Sequence, residues 1–218
     1  REEFRDPATY NAVLSALARG YNTPTKISQA TGVNPGLANK ALHTLEYLGL
    51  VKREIPLFRR KGWYKIADPI LRTWYSLLEP VEALIEIGAK EEAERRVTEK
   101  LDIHASHTWE DLVLGHLVEQ YAPRGYTIFG RLLHKGVEVD VALLNPEERK
   151  AIIAEAKWSK VTSHEIERLK VKTTLKAESI LPSGYKIEKT IIAVKQVEGK
   201  ASGEDVVTPE TLEETTAC

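Results

Sequence analysis

The residues whose types and spacing suit them for chemistry are Asp140, Glu155 and Lys157. They sit on two strand-like runs that flank a polar loop. Val137 to Leu144 alternates: Glu138, Asp140, Ala142 and Leu144 point one way, and Val137, Val139, Val141 and Leu143 the other. Ala151 to Lys157 is apolar until Glu155, and Glu155 and Lys157, two apart, share a strand face. Asn145 to Lys150 between them is turn chemistry. A closed hairpin that pairs Leu144 with Ala151 sets Asp140 opposite Glu155 and Glu138 opposite Lys157. A slip of one residue would send these groups to opposite faces.

Two facing carboxylates repel, and a divalent cation relieves the repulsion; hard oxygen ligands suit Mg²⁺ or Mn²⁺. A lysine two residues from such a ligand can hold a water or stabilise phosphate charge. The pattern therefore reads as a metal-dependent phosphodiesterase site. A surface hairpin with a solvated salt bridge has the same spacing, and the spacing alone favours neither reading.

The surrounding elements must position these groups. Ser106 to Tyr121 reads as an amphipathic helix carrying Trp109, Leu112, Val113, Leu117 and Tyr121, with Glu110 in its first turn, where an acid suits the helix dipole. Tyr126 to Arg131 reads as a strand. Thr162, with Glu165 three residues on, forms a capping box for a helix to about Ala177. Lys189 to Val194 reads as a further strand. This order predicts an α/β domain with a mixed sheet over residues 104–197. Residues 198–218 form an acidic tail in which Val206 and Val207 could add an edge strand and the last residues are disordered.

Upstream, residues 1–75 hold 12 Lys and Arg against 6 Asp and Glu, although the whole chain has a formal net charge of -1. A basic front on a neutral chain points to a polyanion partner. Ala8 to Arg19 reads as a helix stopped by Gly20, and Thr23-Pro24 starts a short second one. Asn34-Pro35 starts a third that runs to Leu48 with Ala38, Ala41, Leu42, Leu45 and Leu48 as its apolar stripe. Asn39, Lys40, His43 and Glu46 occupy the other side. Two strand-like runs then bracket a basic tip, Phe58 to Gly62. Residues 76–103 read as a helical connector, broken at Pro80, with separate helices over Val81 to Ile87 and Ala89 to Leu101. The charge run Lys90 to Arg96 is a solvated helix face.

Three helices followed by a basic hairpin resemble a winged helix-turn-helix domain. That resemblance implies that Asn39 and His43 read base edges in a major groove, while Lys40, Arg59, Arg60 and Lys61 contact phosphates of DNA. Winged helices also serve as protein-interaction modules. The later order, with an acid in the first helix, Asp on strand two and E-x-K on strand three, resembles the PD-(D/E)XK nuclease superfamily. It implies Asp140 and Glu155 as metal ligands for Mg²⁺ or Mn²⁺, Lys157 as the residue that orients the attacking water, and Glu110 as the helix acid. The proline expected before the aspartate is absent: the chain reads Glu138-Val139-Asp140.

The expected architecture is thus an N-terminal winged helix-turn-helix domain, a helical connector and a restriction-endonuclease-like α/β domain. Through LANKALHTLEYLGLVKREIP, WYKIADPILRTWY, HTWEDLV and EVDVALLNPEERKAIIAEAKWSK, the chain is similar to the C-terminal part of archaeal AAA+-type ATPases. In that family a P-loop ATPase precedes the winged helix. No Walker motif occurs here, so the ATPase domain is an expected partner rather than part of the chain. The chain starts at Arg1 and contains no methionine, and is read as part of a longer protein. No apolar run approaches a membrane span, and Cys218 is the single cysteine, which suits a cytoplasmic setting. The expected function is DNA binding with metal-dependent phosphodiester cleavage. The alternative is an inactive nuclease fold that binds DNA or the ATPase.

Overall fold

The computed structural model describes residues 6–199 and 205–216. The chain divides into two compact units, one of residues 1–55 and 60–104, the other of 56–59 and 105–218.

In the first unit, proline sets the helix starts. Helices α1 (Pro7–Ala18), α2 (Pro24–Thr31) and α3 (Pro35–Tyr47) each have Pro in the first turn, capped by Asp6, Thr23 and Asn34. Strands β1 (Val51–Glu54) and β2 (Trp63–Ile66) pair antiparallel, with Val51 opposite Ile66. Val13, Leu17, Ile27, Leu42, Leu45, Val51 and Ile66 close one core. Short helices follow: α4 (Pro69–Thr73), a π turn over Trp74–Leu78, and α5 (Glu82–Glu86). The Tyr75 hydroxyl donates to Asn11 at 2.7 Å and ties this stretch to α1.

Helix α6 runs unbroken from Lys90 to Tyr121. The sequence alone predicts two helices here, Ala89 to Leu101 and Ser106 to Tyr121, with Glu110 in the first turn of the second; Glu110 instead lies inside one helix, far from its start. Asp102 to Ala105 contain no Gly or Pro, so nothing interrupts the backbone ladder. Its first half is polar, with Glu92 paired to Arg95 and Arg96. Its second half buries Trp109, Val113, Leu117 and Tyr121 at four-residue spacing.

The second unit is a five-stranded mixed sheet in the order β3-β4-β5-β6-β7. The strands are β3 (Ile128–His134), β4 (Val137–Asn145), β5 (Lys150–Thr162), β6 (Lys186–Glu198) and β7 (Val206–Val207). The first three pair antiparallel; β6 pairs parallel with β5 and with β7. Leu144 sits opposite Ala151, the register expected from the alternation. The second half of α6 packs on Val141, Leu143, Ile152 and Ala154. Helix α7 (Ser163–Ile180) covers the other face through Ile166 and Ala177, and Thr162 and Glu165 form its capping box as read from the sequence. The tail departs from expectation: Pro209–Thr216 form helix α8, opened by proline. Residues 200–204 and 217–218 lie outside the described residues. Pro56–Arg59 belong to this unit too, and the Leu57 N–H donates to the Arg131 carbonyl at 2.8 Å. Among the described residues, no helix is long and apolar enough to cross a membrane.

Candidate functional site

Asp140 lies on a β-bulge. Between the pairs Gly130–Ala142 and Leu132–Val139, one residue of β3, Arg131, faces two of β4, Asp140 and Val141. The alternation expected from Val137 to Leu144 is therefore broken. Val139 and Ala142 pack in the cluster on the α7 side, whereas Val141 and Leu143 pack in the cluster on the α6 side.

The ladder between β4 and β5 ends at Val141–Ala154. Just past its end, Asp140 Oδ2 accepts the Ala156 N–H at 2.9 Å, so a carboxylate takes the place of a strand carbonyl. Neither expected pair, Asp140 with Glu155 or Glu138 with Lys157, forms in the strand ladder. Glu138 is instead bonded to Arg131, because the bulge turns that guanidinium toward β4.

Arg131 gathers the acids of this seam. Its side chain is 15% exposed, and Nη2 donates to Glu110 Oε2 on α6 at 2.5 Å. Nη1 is bonded to Glu138 and lies 3.7 Å from Asp140 Oδ1. Glu155 faces α7, where Lys176 Nζ reaches its two oxygens at 3.1 and 3.3 Å and the Thr173 hydroxyl donates at 3.4 Å. Lys157, two residues on, shares that face; it is half-buried and its ammonium makes no ion pair among the described residues.

The Asp140 carboxyl is pushed up to about 6. Loss of water is the main cause; the Ala156 N–H opposes it, the charges of Glu155 and Glu110 add to it, and Arg131 opposes it. This is the behaviour of a carboxyl taken out of water, with one backbone hydrogen bond and a nearby guanidinium offsetting only part of that loss.

Arg131 and Lys176 are cations beside these acids that the spacing of Asp140, Glu155 and Lys157 does not reveal. Neither has a spacing signal: Arg131 comes into place through the bulge, and Lys176 through the packing of α7 on β5. Thr173 was missed for the same reason.

The other candidates lie in exposed positions. Asn39, Lys40 and His43 stand on the outer face of α3, with His43 Nδ1 3.7 Å from Glu46. Arg59, Arg60 and Lys61 are exposed in the loop between β1 and β2.

Among the described residues no three His, Cys, Asp or Glu side chains are grouped to cage a metal ion. The donor chemistry nonetheless fits a Mg²⁺-type ion, which is commonly bound through one or two carboxylates plus water and substrate phosphate. Asp140 and Glu155 are carboxylates, the donor type such an ion takes.

Comparison with known proteins gives a family-model match over part of the chain. Residues 74–169 match the model of a family described as archaea bacterial proteins of unknown function, DUF234. The matched stretch holds Glu110, Asp140, Glu155, Lys157, Arg131 and Glu138; it leaves out Asn39, Lys40, His43 and the basic loop. An uncharacterized protein of Methanocaldococcus jannaschii is 24% identical over 210 residues, 93% of this chain and 47% of that protein. The chain thus spans about half the length of the curated relative it matches. No solved structure matches.

Proposed function

We propose that the chain is a DNA-binding protein whose second unit is a metal-dependent nuclease of PD-(D/E)XK type. The observation that carries this reading is the seam itself. Glu110, Asp140 and Glu155 come from one helix and two adjacent strands, Asp140 is held at an elevated pKa, and Lys157 stands by without an ion-pair partner. A buried carboxyl with a raised pKa beside further acids is a recurring feature of functional sites, and structural ion-pair networks can produce it too.

Asp140 and Glu155 would hold a Mg²⁺ or Mn²⁺ ion. When bound, the ion supplies a Lewis acid that stabilises charge on phosphoryl oxygens and lowers the pKa of a water. Lys157 orients that water and offsets charge on the phosphate. Glu110 fixes Arg131 at the edge of the site. Asp140 must be ionised to bind the ion, so affinity for the ion rises with pH through about 6.

The first unit has the element order of a winged helix-turn-helix. In this reading α3 enters a major groove with Asn39 and His43 at base edges, and Lys40, Arg59, Arg60 and Lys61 lie on phosphates. An ATPase domain is the proposed companion, since the curated relative has about as much length again beyond the matched region.

A second reading has one observation in its favour. Arg131 and Lys176 already neutralise much of the acid cluster, as expected of an inactive fold kept as a binding module for DNA or the ATPase. Cleavage of supercoiled plasmid in Mg²⁺ or Mn²⁺, wild type beside Lys157→Ala, separates the two. The nuclease reading expects nicking that the substitution abolishes. Equal, metal-independent backgrounds in both proteins would reject it.

A further inference from the structure

The second unit carries a row of cations that the nuclease reading does not use. From Lys157 to Lys176 the chain has six Lys and Arg against two Glu, whereas residues 76–218 hold 19 against 26. A basic stretch in an acidic half calls for a physical reason.

Helix geometry places part of this charge on one edge. Lys176 reaches Glu155, so its side of α7 faces the site. Residues four apart on a helix lie one above another, about 6 Å along the axis. Lys172 and Arg168 are four and eight residues before Lys176. They therefore follow Lys176 along the helix, stepping about 40° round it each time toward the exposed side, in the direction of the α7 start that adjoins Lys160. Arg168, Lys172 and Lys160 are exposed, and none makes a salt bridge among the described residues.

The acids that could neutralise this edge are few and mostly committed elsewhere. Glu165 is held chiefly in the capping box with Thr162, and its charge also acts on Arg168. Glu155 is held by Lys176. Glu167 lies around the helix from this edge and pairs with Lys170, which also reaches Asp205. A solvated helix face normally mixes charges at four-residue spacing; here three cations, Arg168, Lys172 and Lys176, face the single acid Glu165.

We propose that Lys160, Arg168 and Lys172 form a track for the phosphate backbone of DNA that leads to the Glu155–Lys157 end of β5. The proposal deepens the nuclease reading by giving its substrate a path on the second unit, separate from α3 and the basic loop. Each cation takes one phosphate and releases counterions, so the track adds affinity without base preference.

The test uses the full chain and a duplex DNA oligonucleotide, with binding followed by fluorescence anisotropy across a salt series. The triple variant Lys160→Gln, Arg168→Gln, Lys172→Gln is compared with wild type and with a charge-matched control, Lys90→Gln, Lys100→Gln, Lys135→Gln, at other exposed lysines. The track predicts at least a tenfold loss of affinity at low salt in the first triple, a salt slope shallower by up to about 3, and near-normal values in the control. Equal affinity of the track variant and wild type overturns the proposal. So does an equal loss in the control, or no binding by wild type. Plasmid cleavage is scored separately. No cleavage by wild type together with the track-specific loss rejects the nuclease reading and leaves the track standing; cleavage without the track-specific loss does the reverse.

Discussion

At the scale of single residues, the account turns on Asp140 and Arg131. The Asp140 carboxyl, raised to about 6, titrates above the ordinary aspartate value near 3.8. A folded-state pKa above the unfolded one means that the folded state holds its proton more tightly. Stability from this group is then greatest at low pH and falls as pH rises from about 4 to about 6. Above that window the charged form costs about 3 kcal/mol. Asp140→Asn should therefore raise the thermal midpoint at pH 8, and the gain should shrink toward zero as pH falls to about 4. Melting curves across that range check it; a gain independent of pH would mean that Asp140 is not the titrating group. Arg131→Gln should act in the opposite direction. It strands Glu110, Glu138 and Asp140 without their shared cation and should cost about 3 kcal/mol in urea unfolding. Millimolar Mn²⁺ should restore more stability to this variant than to wild type, because the acids then have no internal competitor. The acids of the seam could be read from the sequence because D…ExK spacing is local. Its cations could not, since they are set by pairing across the sheet and by helix packing.

At the scale of elements, proline and capping residues made the starts of the first helices legible: Asn34-Pro35 opens α3 and Thr162 caps α7. The hairpin register was also legible, because apolar residues at Leu143, Leu144, Ala151 and Ile152 tolerate no slip. The bulge at Asp140 and Val141 was not. Val139-Asp140-Val141 alternates on paper, and nothing local marks the extra residue that Arg131 opposes. The continuous α6 was missed because its polar first half hides the single helical path into the apolar second half. The hairpin of the first unit offers a test at this scale. A Cβ on Gly62 would come within 1.9 Å of the Glu54 carbonyl oxygen, a backbone clash that no rotamer relieves. Gly62→Ala should distort the β1–β2 hairpin and lower the midpoint of unfolding. If Arg60 and Lys61 contact DNA, the same substitution should weaken duplex binding. Unchanged melting would mean that the hairpin yields without cost.

At the scale of the whole molecule, charge and chemistry separate. Apart from Pro56–Arg59, which belong with the second unit, the basic front and the acid seam lie in different compact units, so binding and cleavage should be separable by mutation. Replacing Arg59, Arg60 and Lys61 together by Gln should weaken binding to all duplex sequences and lower the salt slope by up to about 3, while the response to Mn²⁺ stays as in wild type. A fluorescence titration at several salt concentrations reads this; unchanged affinity at low salt would favour the protein-interaction role for the first unit. The central claim is that the seam between β4 and β5 is a site for a divalent cation, and calorimetric titration of Mn²⁺ tests it most directly. Wild type at about 0.1 mM protein should give a saturable heat for a site worth roughly 4 to 5 kcal/mol, and Asp140→Asn and Glu155→Gln should each abolish it. No heat in wild type, or a heat that survives both substitutions, would contradict the claim.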